Sequence, residues 1–392
     1  MKNSVVILSA SRTPLGGFQG ELSSLSATAL GAHAIAAAVE RASISADSVD
    51  EVFFGNVVSA GVGQAPARQA ALSAGLPTSV PCTTVSKVCG SGMKAVMHAA
   101  DSIRLGDIEC SVAGGMESMS NAPYLLAKAR SGHRIGHQQT QDSLFVDGLE
   151  DVESGNLMGV FGQQTADRFD VSRETMDAFA MESLLRAKNA VEQGGFDNEI
   201  APIEVVTRQG SKVISQDEQI ASAKPEKIPH LKPAFKKDGS ITAANSSSIS
   251  DGAAALVLMD AKACADKSLN PLATIRGYTS HARIPAEFTI APISAIDKLL
   301  KQVGWSKDEV DLYEINEAFA VVTLVAITEL GLDPKKVNVH GGACAIGHPL
   351  GASGARIIVT LIHALERKGK KKGVASLCIG GGEATAIAVE LA

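Results

Sequence analysis

The sequence predicts an α/β fold made of two similar halves, and three observations carry that expectation. Short Val/Ile/Ala runs alternate with Ala-rich amphipathic segments, the pattern of strands and their covering helices. Glycine is abundant, at 37 of 392 residues, while aromatics are only 4%, so backbones are expected to pack closely on one another rather than around large rings. The third is an internal likeness. Residues 34–50 (AIAAAVERASISADSVD) and 295–311 (AIDKLLKQVGWSKDEVD) share an amphipathic helix, a turn, a Ser-x-Asp-x-Val-Asp step and a following strand, at an offset of 261 residues.

Taken in order, the chain opens with MKNSVVILSASRTP, which reads as a first β-strand rather than a signal core or an Arg-rich leader. Ser91-Gly92 opens a helix with Met93, Val96, Met97, Ala100 and Ile103 at helical spacing. Ser353-Gly354, 262 residues on, opens another with Ile357, Ile358, Leu361 and Leu365. Each leads to a strand ending in glycines, SVAGG and SLCIGGG. Between the halves the composition turns polar and irregular, which predicts an inserted lobe with few strands and at least one helix near 173–192, placed to cover a site on the rigid core. The expected division is 1–118 with 250–268 as the first core half, 119–249 as a loop domain and 269–392 as the second half.

Several function classes are set aside. Lys+Arg 36 against Asp+Glu 42 gives a net charge of −6, which offers no broad cationic surface for nucleic acid or anionic lipid. The longest strongly apolar stretch, 318–328, is far short of the roughly 18 residues that cross a bilayer. Six unclustered cysteines without a CxxC pair argue for reduced thiols in a cytoplasmic protein and against a disulfide scaffold or structural zinc.

Four positions are candidates for chemistry. Cys89, in VCGSGMKA, lies just before a helix N-terminus, where free N–H groups favour a thiolate and are expected to lower its pKa. His348, in GHPLGASGAR, occupies a Gly-rich turn before the matching helix of the second half, so the two converge if the halves face each other. Cys378 ends an apolar strand before three glycines whose N–H groups suit an oxyanion hole. Asn316, in NEAFA, ends a strand with an amide that can hold a water or a carbonyl oxygen, or cap the next helix.

These motifs, with SRTPLGGFQG, AGGMESMSNAPYLL, DGLEDV, LKPAF, DGSITAANSSSISDGAAALVLM, GGACAIGHPLGASGAR and CIGGG, resemble the thiolase family over nearly the whole chain, the acetoacetyl-CoA type in particular. The resemblance implies a five-layered αβαβα fold of two core halves with an inserted loop domain. It implies that Cys89 is the acyl-accepting nucleophile, that His348 activates it, and that Cys378 moves the α-proton. Asn316, holding a water, and His348 would form one oxyanion hole, and the backbone N–H groups of Cys89 and Gly380 the other. Ser247, Phe235, Ala243, Leu149, Met158 and Phe319 would line the pantetheine tunnel.

The reaction implied is condensation of two acetyl-CoA to acetoacetyl-CoA plus CoA, or the reverse, with no metal and with CoA thioesters as substrates rather than cofactors. A homotetramer with contacts near 130–152 is also implied. A longer-chain 3-ketoacyl-CoA thiolase, a Cys-His thioester hydrolase and a non-catalytic acyl-CoA- or lipid-binding homologue remain as alternatives. The lysines 224, 227, 232, 236 and 237 read as a solvated face or as contacts to CoA phosphates. The chain departs from the family pattern at Leu157 before Met158, at Phe288, at Glu383-Ala384 in place of Gln-Gly, and in the extra thiol Cys344.

Overall fold

The computed structural model describes residues 4–207 and 210–392. Strand β1 (Val5–Arg12) is buried throughout. Helix α1 (Ala27–Arg41) starts where the Ser26 side chain accepts the N–H of Ala29, satisfying one of the free first-turn donors. Its Leu30, Ala34, Ile35 and Ala38 form one apolar face against the sheet. There follow β2 (Glu51–Gly55), α2 (Pro66–Ser73), β3 (Cys82–Val85), α3 (Ser91–Leu105) and β4 (Cys110–Ser118). The insertion carries α4 (Met158–Arg168), α5 (Arg173–Glu192) and a small hairpin pairing Ile203–Thr207 with Gly210–Ile214. Strand β5 (Ser250–Asp260) then returns to the core. The second half contains β6 (Ala273–Ala282), α6 (Ala291–Val303), β7 (Leu312–Ile315), α7 (Ala320–Leu330), α8 (Leu350–Arg367), β8 (Lys372–Ile379) and β9 (Glu383–Leu391).

The duplication is visible in the strand senses. In the first half β5 runs antiparallel between β1 and β4, and β2 and then β3 extend β4 in parallel. In the second, β6, β9 and β8 are antiparallel neighbours, β7 extends β8 in parallel, and a parallel bridge from Tyr313 to Val337 continues it. The half-sheets join edge to edge where Val6 and Ile7 pair with Thr274 and Ala273, and with the short Gly16–Gly17 pairing they form one ten-stranded sheet. Helices α1 and α2 cover one outer face and α6 the other, while α3 and α8 lie between the half-sheets. That is the expected αβαβα layering. Helix α8 is buried on every side from Leu350 to Leu365, as its central layer requires.

The repeated sequence step has a structural cause. Ser45 and Ser306 each accept a backbone N–H within a short 3₁₀ turn. The Asp50 carboxylate then takes the N–H groups of Glu109 and Cys110 at 2.9 Å, and Asp311 takes those of Lys371 and Lys372 at 3.0 Å, so each aspartate pins the start of the next strand. Ser91-Gly92 opens α3 as expected. Helix α8, however, begins at Leu350, so Ser353-Gly354 sits inside it, at its crossing with α3. A Cβ on Gly354 would lie 2.4 Å from Met93 N, and one on Gly92 would lie 2.8 Å from Ala355 N. Only glycine permits this approach, and it draws the segments preceding both helices together.

The insertion is fastened to the core by buried charge. Arg12 pairs with Glu199 at 2.6 Å and binds Asp217 through both terminal nitrogens, at 2.7 and 2.9 Å. Among the described residues no helix is long and apolar enough to cross a membrane.

Candidate active site

Cys89 is half-buried on the turn that leads into α3. Its predecessor Val88 has φ 45, a left-handed conformation that costs a β-branched residue energy and persists only when its surroundings impose it. The hydroxyl of Ser91 imposes part of it, accepting the Lys87 N–H at 2.8 Å and donating to the Val88 carbonyl at 2.7 Å. The sulfur meets the N–H groups of Gly380 and of Cys89 itself. Those donors pull its pKa down, but burial outweighs them and pushes the thiol up to about 11. Burial thus opposes the thiolate that the helix N-terminus and the two N–H groups favour.

His348 is buried just before α8. Its Nδ1 lies 2.5 Å from Ser353 Oγ, and that hydroxyl donates to the Pro349 carbonyl at 2.8 Å. Since the hydroxyl proton is committed, Nδ1 must be the donor, which leaves the Nε2 lone pair free. Nε2 is buried and without a hydrogen-bond partner in the protein. Burial, followed by the nearby positive charge of Arg356, pushes the imidazole pKa down to about 3, so the ring is neutral. Asn316 is complementary. Arg356 donates to its Oδ1 at 3.2 Å, and its Nδ2 is likewise buried without a protein partner. One free acceptor and one free donor are thus held at the ends of adjacent elements, an arrangement suited to a reacting ligand.

Cys378, near the end of β8, is fully buried, and burial together with the charge of Cys89 drives its pKa well above the ordinary range. The two sulfurs are therefore near enough to couple. Cys378 belongs to an apolar cluster with Met158, Phe235 and Phe319. Phe235 stands edge-on to Phe319 at 6.1 Å, and a Cβ on Gly380 would come 3.3 Å from Met158 Sδ. Leu149 packs on the neighbouring cluster beside Cys89. Ser247 is half-buried and tied to the NEAFA segment through its N–H to Ala318 O, at 2.9 Å. Ala243 lies exposed on the turn after Thr242, apart from these clusters. The lysines 224, 227, 232, 236 and 237 are exposed, and Lys236 pairs with Asp167. Of the departures, Phe288 is buried edge-on to Phe161 in the Cys378 cluster, and Cys344 is half-buried against Glu317.

The family description "Thiolase, N-terminal domain" matches residues 5–262, and "Thiolase, C-terminal domain" matches 269–391. The chain belongs to the thiolase family. It is 51% identical to acetyl-CoA acetyltransferase 1 of Arabidopsis thaliana, covering 98% of this chain and 94% of that protein. It is 49% identical to the Escherichia coli acetyl-CoA acetyltransferase, covering 100% and 99%. Among solved structures, the Bacillus anthracis acetyl-CoA acetyltransferase superposes with a TM-score of 0.97 at 42% identity, covering 100% of this chain and 99% of that one. An Ascaris suum thiolase in complex with coenzyme A does so with 0.95 at 44%, covering 99% and 100%.

Sequence reasoning missed the groups that orient this thiolase's site. Ser353, Arg356, Thr360 and His363 form a polar stripe along the otherwise apolar, buried α8. Each has a partner: His348, Asn316, Glu199 at 3.2 Å and the Ala10 carbonyl at 3.0 Å. Their spacing on one face of an apolar helix was the available signal. Glu117, buried at the end of β4, accepts N–H groups from Val57, Val58 and Gly351 and from the Asn56 side chain, tying both halves together beneath Cys89. Burial raises its pKa to about 7.

Proposed function

We propose that the protein condenses two acetyl-CoA molecules to acetoacetyl-CoA and CoA, and catalyses the reverse thiolysis, through an acetyl-Cys89 intermediate. The thiolase-family acyltransferase assignment, with relatives named acetyl-CoA acetyltransferase over the full chain, supports the reaction class. The observations that support the residue roles are the two buried, unpartnered atoms, His348 Nε2 and Asn316 Nδ2, and the coupling of the Cys89 and Cys378 sulfurs.

In the first half-reaction His348 Nε2 takes the Cys89 proton as sulfur bonds to the acetyl carbon. The CoA C–S bond breaks, and the proton passes to the leaving CoA sulfur. The carbonyl oxygen, negative in the transition state, is received by the N–H groups of Cys89 and Gly380. Acetylation relieves Cys378 of the charge of Cys89, and Cys378 first gives its own proton to solvent. In the second half-reaction it takes a proton, as a thiolate, from the methyl carbon of another acetyl-CoA, while His348 and a water held by Asn316 stabilise the enolate oxygen. The new C–C bond forms at the acetyl carbon as its bond to Cys89 breaks, and the proton ends on the Cys89 sulfur. These steps balance without a metal or bound cofactor. Met158, Phe235, Phe319, Leu149 and Ser247 would flank the pantetheine arm.

The reading extends to a cytoplasmic homotetramer. Strand β3 forms the open edge of the first half-sheet, and Tyr124, Leu126, Ile135, Val146 and Val152 are exposed apolar groups in the insertion, which supports association. Light scattering at the mass of four chains is expected, and a monomer would contradict it. The function itself is tested by intact mass after incubation with acetyl-CoA. One acetyl group should be added, and none when Cys89 is replaced by Ala; an unmodified wild type would overturn the proposal.

A further inference from the structure

Two loops meet at the acylation site, and a charge on each is paired across the gap. Lys87, two residues before the nucleophile, donates from Nζ to Glu383 Oε2. Glu383 is the first residue of β9, directly after Gly380–Gly382, and its strand partner across that turn is Ile379. We propose that the Lys87–Glu383 ion pair is a positioning device for acylation, setting the spacing between the N–H groups of Cys89 and Gly380. The proposal rests on the function argued above.

Both loops need an external hold. The Cys89 turn contains the strained Val88, and the Ser91 hydrogen bonds that support it lie within the turn itself, so they fix its shape but not its distance from the other half. Across the gap, Gly380–Gly382 has no side chains with which to anchor itself. Gly381 and Gly382 adopt φ of 90 and 95, accessible to glycine at no cost. The Gly382 carbonyl accepts the Arg283 N–H at 2.7 Å, which holds the far end of the turn but not its distance from Cys89. What joins the two is close packing of Gly90 on Ile379 and of Val88 near Gly380, together with this ion pair. The packing is non-directional, whereas the pair links the residue before Val88 to the residue after the glycines. Its Lys and Glu side chains are 22% and 37% exposed, sheltered enough to hold geometry and open enough to feel salt.

The test is the rate of CoA release in the first turnover after rapid mixing with acetyl-CoA, measured per folded site for wild type, Glu383→Gln, Lys87→Met and the double variant. Each single variant should acylate about 10-fold more slowly, well short of the ~10² to 10³ lost when an oxyanion donor is removed outright. The double variant should be no slower than either single. Raising the salt to molar levels should slow wild type towards the variants while leaving them unchanged. A purely structural pair would instead lower the melting temperature and leave acylation of the folded fraction at the wild-type rate; that result, or losses that multiply in the double variant, would overturn the proposal. Wild type that never forms acetyl-Cys89 would overturn the function as well, and so is distinguishable from failure of the ion pair alone.

Discussion

The two halves of the molecule share a frame and divide the chemistry. At the 262-residue offset Cys89 stands opposite Gly351 and His348 opposite Ser86, so each half contributes a reactive group where the other has none. The turn before α3 is strained at Val88, while α8 is preceded by Pro349 at an ordinary φ of −67. Strand β4 runs on to Ser118 and releases the chain into the insertion, whereas β8 turns back at once through Gly380–Gly382 into β9. Repetition supplies rigid strands and two facing helix starts. Departure from repetition supplies the nucleophile, the base, the oxyanion turn and a cover.

The sharpest way to break this comparison is to remove a group that only one half carries. Cys89→Ala should lower the condensation rate by more than about 10⁴-fold, as loss of a nucleophile does elsewhere; steady-state assay of acetoacetyl-CoA thiolysis checks it. Asn316→Ala, which deletes one unpartnered donor, should cost about 10² to 10³-fold in kcat. Ser353→Ala frees Nδ1 of His348 and should lower kcat by about 10-fold with KM little changed, because the ring loses its imposed tautomer.

His348 also gives the second half a pH signature. Its folded pKa lies below its ordinary value, so between about 6.5 and 3 the unfolded chain binds more protons than the folded one, and stability falls as pH falls through that window. The slope from this group is at most about 1.4 kcal/mol per pH unit, and thermal melts of wild type against His348→Gln isolate it. The smallest effects test the shared frame. Asp50→Ala and Asp311→Ala should each cost about 1 kcal/mol, by nearly equal amounts, in urea unfolding. Unequal losses would show that the halves are not held alike.

Much of this was legible in the chain. The Ser-x-Asp-x-Val-Asp step located both 3₁₀ turns and the strands they lead to because its serines act locally, Ser45 accepting the N–H of Asp47 and Ser306 that of Glu309. The reach of Asp50 and Asp311 to strands about 60 residues on was not readable. The helix at 173–192 and the turns bearing Cys89 and His348 were likewise readable from short-range pattern. What escaped depends on distance in sequence. Arg12 meets Glu199, Arg356 meets Asn316, and Glu117 meets Gly351 only after the layers assemble. The push of burial on the Cys89 thiol escaped for the same reason. A helix N-terminus can be read from its residues, whereas the burial that acts against it comes only with assembly.

The account turns on the division of labour between the two sulfurs, and one experiment separates them: Cys378→Ala mixed with acetyl-CoA, followed by intact mass and by product analysis in the same sample. The protein should carry one acetyl group on Cys89 and form no acetoacetyl-CoA. Condensation at the wild-type rate, or failure of the folded variant to acetylate, would contradict it.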